Sequence, residues 1–382
     1  PLTGCILFIR GESLYVVKFS EVIICAGLLF IATSSCNGQR NSSADLNKIV
    51  LPDGFFIEIY ADDIPNARAM DLAGDGTLFV GSREEGSIYA VTKEKEVIVL
   101  DEGLNMPAGV DFFEGDLYIS AVSTILKYPD ILNDLKNLPE PDVVYDQYPT
   151  DRWHGWKFIK FGPDGKLYVP VGAPCNVCLE DDPVYASITR INKDGSNMEI
   201  IAHGVRNTVG FDWHPGTGNL WFTDNGRDYM GDELPPDELN KLTETGQHFG
   251  FPYVHGDEVK DPEFWEKRPD DFEWIKPQVN LRAHVAALGM RFYTGDMFPK
   301  KYRGGIFFAE HGSWNRSSKI GYRLIFVPVE NGEAKDKEIF ASGWLQGEDV
   351  WGRPVDVETM PDGSLLVSDD FADRIYRIYY NE

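Results

Sequence analysis

Six segments of the chain share one form, a Gly or Asp-Gly turn feeding an alternating strand of aliphatic and aromatic residues. They are AGDGTLFVGS (73–82), FEGDLYISAV (113–122), GPDGKLYVPVG (162–172), PGTGNLWFTDNG (215–226), YRGGIFFAEHG (302–312) and PDGSLLVSDD (361–370). Most are followed by a second strand-like run, GSIYAVT after the first and DRIYRIYY after the last. The first apolar residues of successive copies, Leu78, Leu117, Leu167, Leu220, Ile306 and Leu365, lie 39, 50, 53, 86 and 59 residues apart. A four-stranded blade takes about 40–50 residues. The spacing therefore predicts an all-β fold, a six-bladed β-propeller with an insertion in the long step. The run GFFIEIYA (54–61) is expected to pair with the C-terminal blade and close the ring. Helix is expected only in insertions, chiefly PPDELNKLTETG (235–246) and DPEFWEKRPDDF (261–272). No linker-like stretch interrupts residues 50–382, which read as one domain.

Residues 1–49 have a different character. Lys18 precedes a mostly apolar run from Val22 to Thr33, too short to span a bilayer, and Ser34 and Ser35 then lead into Cys36. This is the layout of a secretory signal. It resembles a bacterial lipoprotein site in which Cys36 becomes the lipidated N-terminus, so a periplasmic or cell-surface, lipid-anchored location is expected. The other reading of Cys36 is an incidental cysteine within an ordinary signal peptide. Two cysteines remain in the rest of the fold, Cys175 and Cys178, and export makes a local disulfide the expected state. Leu179 stands where a haem attachment motif requires His. The formal net charge of −25 argues against nucleic acid as a partner. A neutral or cationic small substrate suits it better.

Propeller sites normally lie at one mouth of the central channel, so polar residues at strand ends are the informative ones. His154, between Trp153 and Trp156, precedes the third copy. A neutral imidazole in an apolar wall suits a general base near pH 7. Arg206 and Asn207 directly precede the strand-like VGFDW and offer several donors to carboxylate or carbonyl oxygens. The loop TDNGRDYMGDELPPDELN (223–240) carries Asp224, Asn225, Asp228, Asp232, Glu233, Asp237 and Glu238. Such hard oxygen ligands on a Gly-rich loop point to calcium, although the spacing is not that of an EF-hand. Arg316, Lys319 and Arg353 add positive charge beside strand ends of the last two blades. With Arg206 they suggest a pocket for an anionic cofactor.

Over residues 50–382 the ordered motifs LPDGFFIEIYAD, PNARAMDLAGDGTLFVG, WHGWKFIKFGPDGKLYVPVGAPCNVC, GVRNTVGFDWHP, WFTDNGRD, PPDELN, GQHFGFPYVHG and GRPVDVETMPDG resemble the glucose/sorbosone dehydrogenase family. That family comprises six-bladed propellers that bind pyrroloquinoline quinone (PQQ). The resemblance implies that His154 is the catalytic base. It implies that Arg206 and Asn207 contact the cofactor, Arg206 also stabilising the oxyanion that develops on its carbonyl. Backbone carbonyls of Gly226 and Arg227 are implied to hold Ca2+, with Asp224 and Asp228 as neighbouring candidates. Arg353 matches a basic PQQ ligand, whereas Val355 stands where relatives carry a second arginine. Arg316 and Lys319 both remain candidates for the cofactor-contacting lysine, and Asn105 or Met106 for an early glutamine. The expectation is a PQQ- and Ca2+-dependent dehydrogenase of an aldose or related polyol or aldehyde, passing electrons to an external acceptor, a cytochrome or a quinone. The alternatives are a Ca2+-dependent lactonase-like hydrolase and a non-catalytic binding propeller.

Overall fold

The computed structural model describes residues 45–382. The leader and Cys36 lie outside the described residues. Six antiparallel sheets form the blades. The first consists of Ala67–Leu72, Leu78–Ser82, Ile88–Val91 and Val97–Asp101, the second of Val110–Phe113, Asp116–Ser120, Ile125–Tyr128 and Asp142–Tyr145. The third contains Lys160–Phe161, Leu167–Val171, Ser187–Ile191 and Glu199–His203, with Gln247–His248 added in parallel at its edge. The fourth contains Phe211–Trp213, Leu220–Asp224, Glu238–Leu242 and Val279–Asn280. The fifth contains Ala287–Phe292, Ile306–Glu310, Arg323–Val327 and Glu338–Ala341. The sixth combines Pro354–Thr359, Leu365–Asp369 and Arg374–Tyr380 with Phe55–Asp62. The repeat copies are thus the second strands of the blades, fully buried in five of the six because both faces meet a neighbouring blade.

The closing strand pairs from Phe55↔Tyr380 to Asp62↔Arg374. Its anchor is Phe55, whose ring lies edge-on to Phe298, Phe340 and Tyr302 at centroid distances of 4.8, 5.0 and 5.3 Å. Burying one such ring contributes about 1.5–3 kcal/mol.

The first strand of each blade faces the axis, and a repeated carboxylate ties these strands together. Asp71 accepts the Phe112 N–H at 2.8 Å, Asp111 that of Phe161 at 2.7 Å, and Asp212 that of Phe292 at 2.9 Å. Asp356 completes the ring by accepting Met70 N–H at 2.9 Å. Lys160 and Arg291 supply countercharge, Lys160 to Asp71 at 3.2 Å and Arg291 to Glu358 at 3.0 Å. A buried charge persists only when paired and hydrogen-bonded, and these contacts join the inner strands of the blades to one another.

The helical expectations are corrected. Within 235–246 the segment Glu238–Leu242 is the third strand of the fourth blade, registered residue for residue against Leu220–Asp224. Glu, Leu and Lys are good helix formers, but burying Leu239 in the blade overrides that weak preference. Within 261–272 there is only a 3-10 turn at Trp265–Lys267. The long step instead inserts a loop carrying the two-residue hairpin strands Val254–His255 and Val259–Lys260.

Candidate functional site

Residues before the first strand of each blade gather at one mouth of the channel. His154 sits there in a tight turn with a left-handed φ of 51°. A non-Gly residue holds that conformation only when its surroundings impose it. Three contacts do so. A side chain on Gly155 would strike the Asp151 carbonyl, its Cβ only 2.0 Å away. Lys157 Nζ, buried, donates to the carbonyls of Gly155 at 2.8 Å and Val122 at 2.5 Å. Burial without a carboxylate partner pushes the Lys157 amine down to about 7. Third, Gly172 lets the neighbouring strand end pass close, since a Cβ there would lie 2.6 Å from His154 Cβ. Gly172→Ala is therefore expected to displace the imidazole and lower turnover by roughly 100-fold, as an ångström of misplacement can. The blade core should stay intact, so an unchanged melting temperature with lost turnover is the signature to measure.

The ring itself is oriented by one bond, His154 Nδ1 to Ala173 O at 2.8 Å. A carbonyl only accepts, so Nδ1 carries the proton and Nε2 presents a lone pair. Burial, reinforced by the Arg206 charge, holds the imidazole well below its usual range, so it is neutral at pH 7. His154 lines an open cavity of about 470 Å³ with Trp153, Trp156, Met106, Arg83, Glu84, Arg152, Asp228 and Trp314.

Arg206 is buried beside this cavity. Its Nε donates to Asn176 O at 2.8 Å, one terminal nitrogen to Asn176 Oδ1 at 3.0 Å and the other to Asn225 O at 3.1 Å. Asn176 Oδ1 also accepts the Asp228 N–H at 2.8 Å. The turn that presents Asn176 is closed by the Cys175–Cys178 disulfide. Asp224 fixes the Arg206 backbone from behind: its two oxygens accept the N–H groups of Arg206 (2.8 Å), Asn207 (2.6 Å) and Asn225 (3.0 Å). Arg353 meets His311 Nδ1 at 2.9 Å, and His311 Nε2 bonds Asp370 at 2.8 Å.

This arrangement places a neutral base on an open cavity of a propeller, with the buried Arg206 held against Asp228 of the cavity wall. A glucose/sorbosone dehydrogenase family model matches residues 121–377. The chain belongs to the glucose/sorbosone dehydrogenase family. An uncharacterized protein of Borreliella burgdorferi is 38% identical over 348 residues, 87% of this chain and 91% of its own. The iodide structure of the Trichoderma reesei carbohydrate-active enzyme of family AA12 superposes with a TM-score of 0.74 at 18% identity. It covers 87% of this chain and 98% of that one. The holo form of the pyranose dehydrogenase PQQ domain of Coprinopsis cinerea superposes with a TM-score of 0.71 at 17% identity, covering 87% and 97%. At these identities the two structures share the fold with this chain.

The carboxylates of the acidic loop, candidate calcium ligands by sequence, have protein partners. Asp224 is taken up by backbone N–H groups, as is Asp237, which accepts those of Gly226 at 2.9 Å and Ala286 at 2.8 Å. Asp228 faces Arg206 at 3.6 Å and lines the cavity. Arg316 is held by the Asp232 backbone carbonyl and by the Glu233 carboxylate at 2.5 Å, while the Asp232 carboxylate accepts the Ser317 N–H at 3.0 Å. Among the described residues no three His, Cys, Asp or Glu side chains group as a metal site. What the loop does offer is carbonyl oxygen: those of Gly226 and Arg227 receive no protein donor among the described residues. The Arg227 side chain turns away, to Asp261 at 2.6 Å. Two stiffly held carbonyls fit a hard cation that completes its shell with ligand and water oxygens.

Other expected residues are dispersed. Lys319 Nζ binds the Glu348 carbonyl at 2.6 Å at the surface. Asn105 is exposed and takes Arg152 at 2.8 Å, whereas its neighbour Met106 lines the cavity. Sequence reasoning missed Arg83, Asn176 and Trp314. The signal for Asn176 was its place inside Cys-Asn-Val-Cys, since a disulfide-closed turn points its middle residues in fixed directions. Arg83 follows the first repeat copy directly, at the strand end where site residues were expected.

Proposed function

We propose that this sugar dehydrogenase family member uses PQQ and Ca2+ to oxidise an aldose, or a related polyol or aldehyde, outside the cytoplasm, and passes electrons to a cytochrome or quinone. The observation that carries the reading is the His154 tautomer: Nδ1–H is spent on Ala173, which leaves Nε2 as an unprotonated base facing the cavity. Bound PQQ supplies a two-electron acceptor for the hydride that leaves the substrate carbon. His154 Nε2 takes the hydroxyl proton as the carbonyl of the product forms. Arg206 and Asn207 would bind the cofactor, Arg206 facing the developing negative charge. Gly226 and Arg227 would hold Ca2+ by their carbonyls, and Arg353, backed by His311, would take a carboxylate. The holo Coprinopsis domain supports the cofactor by likeness of fold. A lactonase-like reading would need side-chain carboxylates converging on a metal, a grouping not found among the described residues.

The direct test is dye reduction by the apo-protein supplied with PQQ and CaCl2 across a panel of aldoses. Turnover that depends on PQQ is expected. No turnover with any aldose, polyol or aldehyde, together with hydrolysis of lactones, would move the protein to the other class.

A further inference from the structure

The arginines whose Nε–H is buried without an acceptor among the described residues are Arg68, Arg83, Arg316 and Arg353. An unsatisfied buried donor calls for an explanation, commonly an absent ion or ligand. Arg316 is otherwise matched by the acidic loop. The other three belong together. Arg68 and Arg83 come from the first blade and Arg353 from the start of the sixth, and the charges of Arg83 and Arg353 both act on Arg68.

One deep carboxylate stands behind Arg68 and His311. Asp370 pairs with Arg68 at 2.7 Å and with His311 Nε2 at 2.8 Å. Arg353 can only donate to His311 Nδ1, so the His311 proton resides on Nε2 and the ring is neutral. Arg83 has Glu84, which is 67% exposed and so weakly felt. Of the three guanidinium groups only that of Arg68 is ion-paired with a buried carboxylate, that of Arg83 having the exposed Glu84 and that of Arg353 the neutral His311.

Beside the trio is an apolar floor. Trp156 packs on Val209, Leu288 and Val355. The Arg83 guanidinium lies 4.8 Å above the Trp156 ring and lines the His154 cavity. Arg68 borders the same Val355. A flat apolar floor edged by unmatched guanidinium donors fits a planar aromatic polycarboxylate.

We propose that Arg83 is a further cofactor-binding residue, joining Arg353 on the carboxylates of PQQ, and that Arg68 is its positioning partner. Arg68 holds Asp370 and His311 in line behind Arg353 and supplies positive charge next to uncharged Val355. The inference rests on the PQQ reading above, and its test separates the two.

Equilibrium titration of the full chain with PQQ in CaCl2, followed by absorbance, is compared with titration by benzene-1,3,5-tricarboxylate. R83M is expected to weaken PQQ roughly 10- to 100-fold, with R83K falling between it and the unaltered protein. R68M alone would strand Asp370, so R68M/D370N is used, with a similar loss expected. Removing the charge should also flatten the salt dependence of the dissociation constant, which loss of packing alone does not. R83M and R68M/D370N that bind PQQ as tightly as the unaltered protein would overturn the arginine proposal and leave the cofactor reading standing. Failure to bind PQQ with Arg83-dependent binding of the tricarboxylate would support the anion site and sink the cofactor reading. Binding of neither ligand overturns both.

Discussion

Replacing His154 by Ala is expected to lower turnover by about 100- to 10,000-fold, the usual contribution of a positioned general base, while PQQ and Ca2+ still bind. The reasoning runs through the ring nitrogens. Nδ1 is committed to Ala173, so only Nε2 faces substrate, and a methyl group there accepts no proton. The cofactor contacts proposed here come from Arg206, Asn207, Arg83 and Arg353, none of which is hydrogen-bonded to His154. Loss of PQQ binding along with turnover would instead make His154 a cofactor or scaffold residue. The pH dependence follows from the same environment. Burial and Arg206 depress the His154 pKa, so the competent neutral form persists as pH falls past 6.5. Activity should decline only as pH drops through the lower folded value. A kcat/KM profile whose acid limb falls already near 6.5 would contradict the burial argument.

Asp224→Ala is expected to damage stability and cofactor binding together. It removes the acceptor of three buried N–H groups, and each orphaned donor costs about 1–3 kcal/mol. A loss of at least about 3 kcal/mol should appear in denaturant melts. Asp224→Asn should fall between, because its amide keeps one acceptor oxygen and turns a donor toward another donor. Since the backbone of Arg206 and Asn207 is what Asp224 fixes, PQQ titration should weaken in both variants. If Asp224 were a calcium ligand instead, the defect would shrink at high CaCl2 and stability without metal would be unaffected.

Much of this fold is legible in the sequence because each blade repeats the same burial problem. A second strand covered on both faces must be apolar throughout, which makes Leu78–Ser82 and its counterparts visible. The closing strand shows itself because Phe55 needs a buried partner. Glu238–Leu242 misleads, because its residue types favour helix while its register is dictated by Leu220–Asp224, a tertiary fact. At the site, residues that precede inner strands are readable from order alone, as His154, Arg206 and Arg353 are. The uses of Asp224 and Arg316 are not, since a carboxylate facing backbone N–H groups and one facing a cation look alike in sequence. Arg83 is hidden for a different reason. Its partner Trp156 comes from the approach to the third blade, brought near only when the chain folds.

The central claim is tested most directly by titrating the purified apo-protein with PQQ in CaCl2 and again after chelation with EGTA. Saturable binding of one PQQ per chain is predicted, seen in absorbance and as a raised melting temperature, abolished by EGTA and restored by added Ca2+. No PQQ-dependent change in either signal at any Ca2+ concentration would contradict the account.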